Sequence, residues 1–150
     1  MKLADLSKHL LVCRTAGDPL REVTGLSSDS RRVRPGDLFF CLRGLSRDGH
    51  DFAGDAVAKG AAALVVEREL PLPVPQLIVP DAQRALALLA DAYFGRPSRL
   101  LRPIGVTGTN GKTTTTWLIE RILLDAGVPA GVIGTVEIRY DGQSRPASVT

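Results

Sequence analysis

The sequence predicts an α/β fold, because buried strands and amphipathic helices alternate along the chain. The apolar runs Leu38–Leu42 and Ala63–Val66 are bounded by turn residues and have the length and composition of buried strands. The segment 85–93 instead repeats its apolar residues at helical spacing. A glycine-rich segment, 108–114, stands between a short predicted strand and a predicted helix, as it does at the strand–helix junctions of α/β proteins.

The first part of the chain is predicted to alternate between helices and strands. A short helix over 3–11 is indicated by the helical spacing of Leu3, Leu6, Leu10 and Leu11. Further elements follow in order: strand 38–42, helix 51–58, strand 63–66, and strand 76–79 after a proline-rich connector. The next helix is capped by Pro80-Asp81, carries the stripe Ala85, Leu86, Leu89, Ala90 and Tyr93, and ends at Gly95 and Pro97.

A domain boundary is predicted in the segment 95–103, which is rich in turn residues. We therefore expect an N-terminal domain over 1–98 and the start of a second domain over 99–150. In the second, the pattern predicts a strand over 104–107, a helix over 112–126 and a strand that begins at 130–135 and runs through Tyr140. These elements form one βαβ unit, which needs further strands, so the sequence is expected to be cut off inside its second domain.

The composition is that of a folded protein with a hydrophobic core. Arg supplies 15 of the 19 basic residues, but the net charge is only +3 and aromatic residues make up 5%. The cluster Arg31, Arg32 and Arg34 is therefore interpreted as a solvated basic loop rather than a nucleic-acid patch, and an anionic substrate is compatible with it. Cys13 and Cys41 have apolar neighbours and are predicted to be buried thiols. Because the chain has neither a signal peptide nor a membrane span, we expect a soluble, cytoplasmic protein.

The segment Gly108-Thr-Asn-Gly-Lys-Thr-Thr114 has the pattern of an ATP phosphate-binding loop. Small residues between a strand and a helix place backbone N–H groups around a phosphate, and the helix N-terminus favours its charge. Lys112 is expected to reach the β- and γ-phosphates, and the Thr113 hydroxyl is expected to bind Mg²⁺. The common pattern has a glycine where this chain has Val106, so the strand–helix context supports the prediction. The alternative is a turn and helix cap formed by Thr and Asn side chains.

The segment Gly105–Thr116 resembles the ATP-binding loop of the Mur ligases, which assemble peptidoglycan precursors. Motifs in the first part resemble the uridine-nucleotide-binding domain of this family, in particular of the ligases that add the third residue and the final dipeptide. They are Asp29-Ser30-Arg31, Val33-x-Pro35-Gly36-Asp37-Leu38-Phe39, Gly44, Asp48-Gly49-His50-x-Phe52 and Gly60-Ala61. Gly-Thr-Asn-Gly-Lys-Thr and Gly131-Val-Ile-Gly-Thr135 are typical of the third-residue type.

The resemblance implies a small N-terminal α/β domain that binds a uridine nucleotide, followed by the first βαβ unit of a P-loop central domain. It also implies a reaction. ATP phosphorylates the D-Glu α-carboxylate of UDP-MurNAc-L-Ala-D-Glu, and the amine of a third amino acid attacks the acyl phosphate to form an amide. Phosphate is a good leaving group once Mg²⁺ and Lys112 stabilise its charge.

The matching positions imply the role of each site residue. ATP contacts are implied for Gly108, Thr109, Asn110, Gly111, Lys112, Thr113 and Thr114, with Lys112 catalytic and Thr113 on the metal. UDP-MurNAc contacts are implied for Ser28, Ser30, Leu45, Ser46 and Arg47. Alternatives stay open at four positions. Arg47 is either a phosphate contact or a solvated arginine, Asp29 and Arg31 fit a structural ion pair equally well, and His50 fits a residue that fixes a turn better than a catalytic base.

Functions from different classes remain for the chain. One is the N-terminal part of an ATP-dependent amide ligase, and another is a uridine-nucleotide-binding module without catalysis, which describes what these 150 residues are expected to do alone. The dipeptide-adding Mur ligase is a further alternative. A related amide synthetase, such as cyanophycin synthetase, is disfavoured by the motifs of the first domain.

Overall fold

The computed structural model describes residues 1–44 and 47–147 of the chain, which divides into two units, Met1–Arg102 and Pro103–Thr150. The helices of the first unit are α1 (Leu3–Ser7), α2 (Ala53–Ala58) and α3 (Ala82–Tyr93), with 3-10 helices at Gly49–Phe52 and Pro97–Leu100. Its strands are β1 (Arg14–Ala16), β2 (Gly25–Ser27), β3 (Asp37–Phe40), β4 (Ala63–Val66) and β5 (Gln76–Ile78). The predicted α/β class is confirmed.

In the described part of the first unit, five strands form one sheet in the order β1-β5-β4-β3-β2. The strands β2, β3, β4 and β5 run parallel, and β1 joins β5 antiparallel at the edge. The central strands β3 and β4 are buried along their whole length, as expected for parallel strands covered on both faces. All four parallel strands therefore end at the same edge of the sheet.

The core of the first unit lies on both faces of this sheet, because successive strand residues point to opposite sides. Leu38 and Phe40 pack with α1 and α3 on one face. Phe39 and Leu64 pack with α2 on the other face. The thiol of Cys41 is buried there as predicted, which raises its pKa to about 12, whereas Cys13 is only partly buried.

The predicted and observed bounds agree best for the most regular segments. The strand at 63–66 has the predicted bounds, and the side chain of Asp81 caps α3 by accepting a hydrogen bond from the Arg84 N–H at 2.8 Å. The helix predicted over 3–11 is wrong in its second half. It ends at Ser7, and Leu11 is 88% exposed, so the four leucines do not form one buried stripe.

The second unit contains α4 (Lys112–Asp125), β6 (Val132–Ile133), β7 (Glu137–Tyr140) and β8 (Gln143–Pro146). The strand predicted over 104–107 is not formed, because none of the described residues pairs with this segment. The strand predicted from 130 through Tyr140 is two strands, β6 and β7, which pair antiparallel. The described part of this unit therefore holds a loop, a helix and an antiparallel sheet, and its strands do not pair in parallel.

The turn at Asp141-Gly142 joins β7 to β8 as a hairpin. Asp141 has φ of 48° and Gly142 has φ of 69°. Positive φ at both central residues is the geometry of a two-residue hairpin turn, for which Asp-Gly is a preferred sequence. The predicted turn therefore reverses the chain within the sheet.

Candidate functional site

The predicted substrate residues follow two neighbouring parallel strands. Ser28 and Ser30 come directly after β2, and Arg47 lies in the connection that follows β3. Because parallel strands end at the same edge of the sheet, both segments begin at one edge, where ligands of open α/β sheets bind. Leu45 and Ser46 lie outside the described residues.

A cleft beside β2 has a volume of about 520 Å³, and Ser28 is one of its lining residues. Asp29, Arg32, Arg34 and Asp37 also line it, so the cleft carries both acidic and basic side chains. The carbonyl of Ser30 accepts a hydrogen bond from Lys59 Nζ at 2.8 Å, which ties the end of this segment to the C-terminus of α2. The cleft is open to solvent and its lining is mostly polar.

Asp29 and Arg31 form the structural ion pair that the sequence left open. The Arg31 Nε and Nη2 atoms lie 2.9 Å from the two carboxylate oxygens, and the Arg31 backbone N–H donates to Oδ1 at 3.0 Å. These hydrogen bonds lower the pKa of Asp29 from 3.8 to about 2. The pair lies within the turn that the Arg32 N–H closes by donating to the Asp29 carbonyl at 3.0 Å.

Replacing Arg31 by alanine is expected to return the pKa of Asp29 toward 3.8. A carboxylate with a lowered pKa stabilises the folded state above its unfolded pKa and loses this effect as the pH falls through its folded pKa. The contribution of ionised Asp29 to the stability of the wild-type protein should thus disappear as the pH falls from about 4 to about 2. An NMR pH titration of the Asp29 carboxyl carbon measures both midpoints, and equal midpoints in the two proteins would contradict the ion pair.

His50 is a structural residue, since both of its ring nitrogens have partners. Nδ1 lies 2.5 Å from Asp48 Oδ1, and Nε2 accepts a hydrogen bond from the Glu67 backbone N–H at 3.0 Å. An accepting Nε2 places the ring proton on Nδ1, from where it is donated to Asp48. Its hydrogen bonds to Asp48, chiefly from the His50 backbone N–H, lower the pKa of that carboxyl. This geometry supports the turn-fixing interpretation of His50.

Arg47 extends from the same edge. Its guanidinium carbon lies 6.0 Å from the centroid of the Phe52 ring, at the outer limit of a cation–π contact. Its carbonyl accepts a hydrogen bond from the Gly44 N–H at 2.9 Å, which closes the connection after β3. Phosphate contact and simple solvation both remain compatible with this position.

The glycine-rich loop of the second unit ends at the N-terminus of α4. Gly111 is the N-cap residue, with φ of 76°, and among the described residues no side chain caps this helix. The alternative of a Thr or Asn helix cap therefore has no support in the geometry. The backbone N–H groups of the first turn point toward the loop, and such an N-terminus favours an anion.

Lys112 folds back over this loop. Its Nζ donates to the Gly108 carbonyl at 2.5 Å and lies 3.4 Å from the Thr109 carbonyl. A cation in the first turn of a helix is unfavourable unless a negative charge accompanies it. Lys112, Thr113 and Thr114 are all exposed, so the loop presents its positive groups to solvent.

A second group of charged residues lies beside the loop and was missed by the sequence analysis. Arg139 on β7 donates from Nε to Glu120 on α4 at 3.0 Å, and its guanidinium carbon lies 4.3 Å from the centre of the Trp117 ring. The hydrogen bond to Glu120 is the main cause of a raised Arg139 pKa. Arg139 and Trp117 line a cleft of about 310 Å³ together with Lys112 and Thr113. No signal in the sequence pairs Arg139 with a residue 19 positions earlier.

Within residues 1–44 and 47–147, no group of three or more His, Cys, Asp and Glu side chains is arranged to hold a metal ion. The helices in these ranges are each too short or too polar to cross a membrane.

Proteins similar to this chain include ligases of one family. A relative in Geobacillus kaustophilus (strain HTA426), named UDP-N-acetylmuramoyl-L-alanyl-D-glutamate–2,6-diaminopimelate ligase, is 53% identical and is matched over 100% of this chain and 31% of its own length. A solved structure with the same ligase name has a TM-score of 0.73 at 26% identity, over 95% of this chain and 29% of that one. The structure of the MurF ligase from Thermotoga maritima in complex with ADP has a TM-score of 0.51 at 32% identity. That match covers 73% of this chain and 25% of the MurF chain.

The family models match both units. Residues 22–94 match the model described as Mur ligase family, catalytic domain, and residues 106–150 match the Mur ligase middle domain. The chain spans about a third of the length of the curated relatives that it matches. Matches in both units, in the order expected from the motifs, show that the chain belongs to the Mur ligase family.

Proposed function

We propose that this chain supplies the substrate-binding and ATP-binding parts of an ATP-dependent amide ligase of the MurE type. The ligase would add the third amino acid to UDP-MurNAc-L-Ala-D-Glu through an acyl phosphate. The curated relatives, at 42 to 53% identity, carry the name of a 2,6-diaminopimelate ligase, so diaminopimelate is the proposed third amino acid. Because the chain spans about a third of these relatives, the activity is proposed for a protein of their full length.

The observation that carries this proposal is the uncapped N-terminus of α4 with Lys112 over its loop. The loop residues proposed to hold ATP are Gly108, Thr109, Asn110, Gly111, Lys112, Thr113 and Thr114. Their geometry fits a nucleotide, since positive φ at Gly111 opens the loop and no side chain within the described residues competes for the helix N-terminus. The Thermotoga maritima structure with ADP supports nucleotide use in this family.

The loop backbone, Lys112 and Thr113 have separate tasks in the proposed reaction. Backbone N–H groups of the loop bind and orient the phosphates, and Lys112 stabilises the negative charge that develops during transfer. Thr113, exposed on the first turn of α4, is the proposed ligand for Mg²⁺, which neutralises phosphate charge when bound. The carboxylate that accepts the phosphoryl group belongs to the substrate, which the first unit must hold.

Residues 1–98 are proposed to form the uridine-nucleotide-binding domain, and residues 99–150 to begin the ATP-binding domain. The proposed nucleotide contacts are Ser28, Ser30, Leu45, Ser46 and Arg47. Support comes from the position of Ser28, Ser30 and Arg47 after neighbouring parallel strands, at the edge where α/β sheets bind ligands. Alone, the 150-residue chain is proposed to bind the uridine nucleotide without catalysing ligation.

Calorimetric titrations test the two halves separately. The chain is titrated with UDP-MurNAc-L-Ala-D-Glu and, in a second experiment, with ATP and Mg²⁺, and we expect saturable binding of each. Absence of uridine-nucleotide binding by folded protein would remove the substrate-domain assignment. The full-length protein is then assayed with diaminopimelate, lysine and D-Ala-D-Ala, and use of D-Ala-D-Ala would identify the dipeptide-adding ligase instead.

A further inference from the structure

The connection after β3 has two short stems, Arg43-Gly44 and Arg47-Asp48, which are held by side chains from the end of β4. The stems pair with each other through an isolated antiparallel bridge between Arg43 and Asp48. The Gly44 N–H donates to the Arg47 carbonyl at 2.9 Å within this bridge. These backbone hydrogen bonds join the two stems to each other, and the contacts of each stem with the end of β4 are made by side chains.

Glu67 is the first residue after β4 and contacts the first stem. One carboxylate oxygen lies 2.9 Å from Arg43 Nε, and the other accepts a hydrogen bond from the Ala82 N–H, at the first turn of α3, at 3.1 Å. The Glu67 side chain is only 19% exposed, whereas that of Arg43 is 59% exposed. The carboxylate is therefore fixed by the helix N-terminus, and the stem is held against a rigid group.

Arg68, the next residue, contacts the second stem. Its Nη1 lies 3.0 Å from Asp48 Oδ2, while the other oxygen of Asp48 faces His50 Nδ1. The Glu67 backbone N–H donates a hydrogen bond to Nε2, the other ring nitrogen of His50. Consecutive residues at the end of one strand thereby anchor the stems that follow the neighbouring strand.

We propose that Glu67 and Arg68 are positioning residues for uridine-nucleotide recognition, acting through Arg43 and Asp48 to set the direction in which Arg47 projects. This inference rests on the proposed function, because it assumes that the connection after β3 contacts the nucleotide. The reason for an ionic anchor is geometric. The stems must be fixed at the edge of the sheet, where apolar packing would close the space that the ligand needs.

Arg43→Met and Glu67→Gln, measured in the 150-residue chain, test the first anchor. Each is expected to raise the Kd for UDP-MurNAc-L-Ala-D-Glu by about tenfold, the usual size of coupling between contacting residues. The double variant should raise Kd no further than the weaker-binding single variant, because both changes break one contact. Arg43→Lys keeps the charge and should recover part of the affinity. Arg68→Met tests the second stem in the same titration.

Glu69→Gln is the matched control, since Glu69 pairs with Arg14 on β1, the outer strand on the opposite side of the sheet from β2, and not with either stem. Its Kd should stay within twofold of wild type. The midpoint of urea unfolding is measured for each variant, and Arg43→Met, with its exposed side chain, should keep the wild-type midpoint. Unchanged Kd in Arg43→Met and Glu67→Gln, or an equal rise in Glu69→Gln, overturns the positioning role. Failure of the wild type itself to bind the nucleotide overturns the proposed function instead.

Discussion

Lys112→Ala is expected to lower the rate of acyl-phosphate formation by about 10²- to 10³-fold in the full-length protein, while the Kd for the uridine nucleotide stays within about twofold. The physical reason is the position of the charge. Lys112 Nζ lies over the loop at 2.5 Å from the Gly108 carbonyl, at the helix end where phosphate is proposed to bind. Its removal takes away a cation that interacts most strongly with charge developing in the transition state.

The measurement combines single-turnover formation of the acyl phosphate with a separate nucleotide titration. Arg121→Ala is the matched control, because it removes another exposed cation from the same helix, one that pairs with Asp125 rather than facing the loop. The control should keep both the rate and the affinity. Equal loss of nucleotide affinity and of acyl phosphate in Lys112→Ala would contradict separate sites for the two substrates.

Gly49→Ala is expected to lower the free energy of unfolding of the first unit by about 3 kcal/mol, the upper range for overpacking. A Cβ at this position would lie 2.5 Å from the Leu42 carbonyl oxygen and 2.6 Å from the Leu42 nitrogen. These are backbone atoms that cannot rotate away, and the Gly49 N–H donates to that same carbonyl at 2.7 Å. Relief of the clash requires His50, buried next to it, to move as well.

Urea denaturation followed by circular dichroism measures this loss. Gly54→Ala serves as the control, since Gly54 lies in α2 and nothing stands within 4 Å of the added Cβ. Alanine is the better helix former, so this variant should be stabilised by up to about 1 kcal/mol. A Gly49→Ala protein as stable as wild type would show that the close approach to Leu42 does not constrain the fold.

The elements that the sequence predicted well are those with a strong local signal. The continuous apolar run at 63–66 is buried on both faces, and the helix at 82–93 has both a cap and a stripe. The strands β1 and β2 were missed because each has only three residues and its pattern is neither continuous nor alternating. The segment 104–107 has strand-like residues but forms no strand, because a strand requires a partner and none of the described residues provides one.

The candidate site residues also divide into those that a local sequence pattern predicts and those that only the folded chain brings together. Lys112 and the glycines around it could be predicted as a phosphate loop because such a loop is contiguous, so its spacing can be read directly from the sequence. The anchor of Arg43 on Glu67 joins residues that are far apart in the chain and adjacent only through the pairing of β3 with β4. His50 had the motif of a functional residue, and its buried contacts with Asp48 and Glu67 give it a structural role.

The sequence by itself determined the α/β class and the resemblance to the Mur ligases, and it predicted the phosphate loop at 108–114, because each depends on local periodicity or contiguous motifs. Only the tertiary structure decided that Asp29 pairs with Arg31, that His50 is enclosed and that Glu67 and Arg68 hold the connection after β3. The reason is physical. Ion pairs and buried hydrogen bonds depend on distances that strand pairing creates, and residue type alone does not specify which partner the sheet brings within reach.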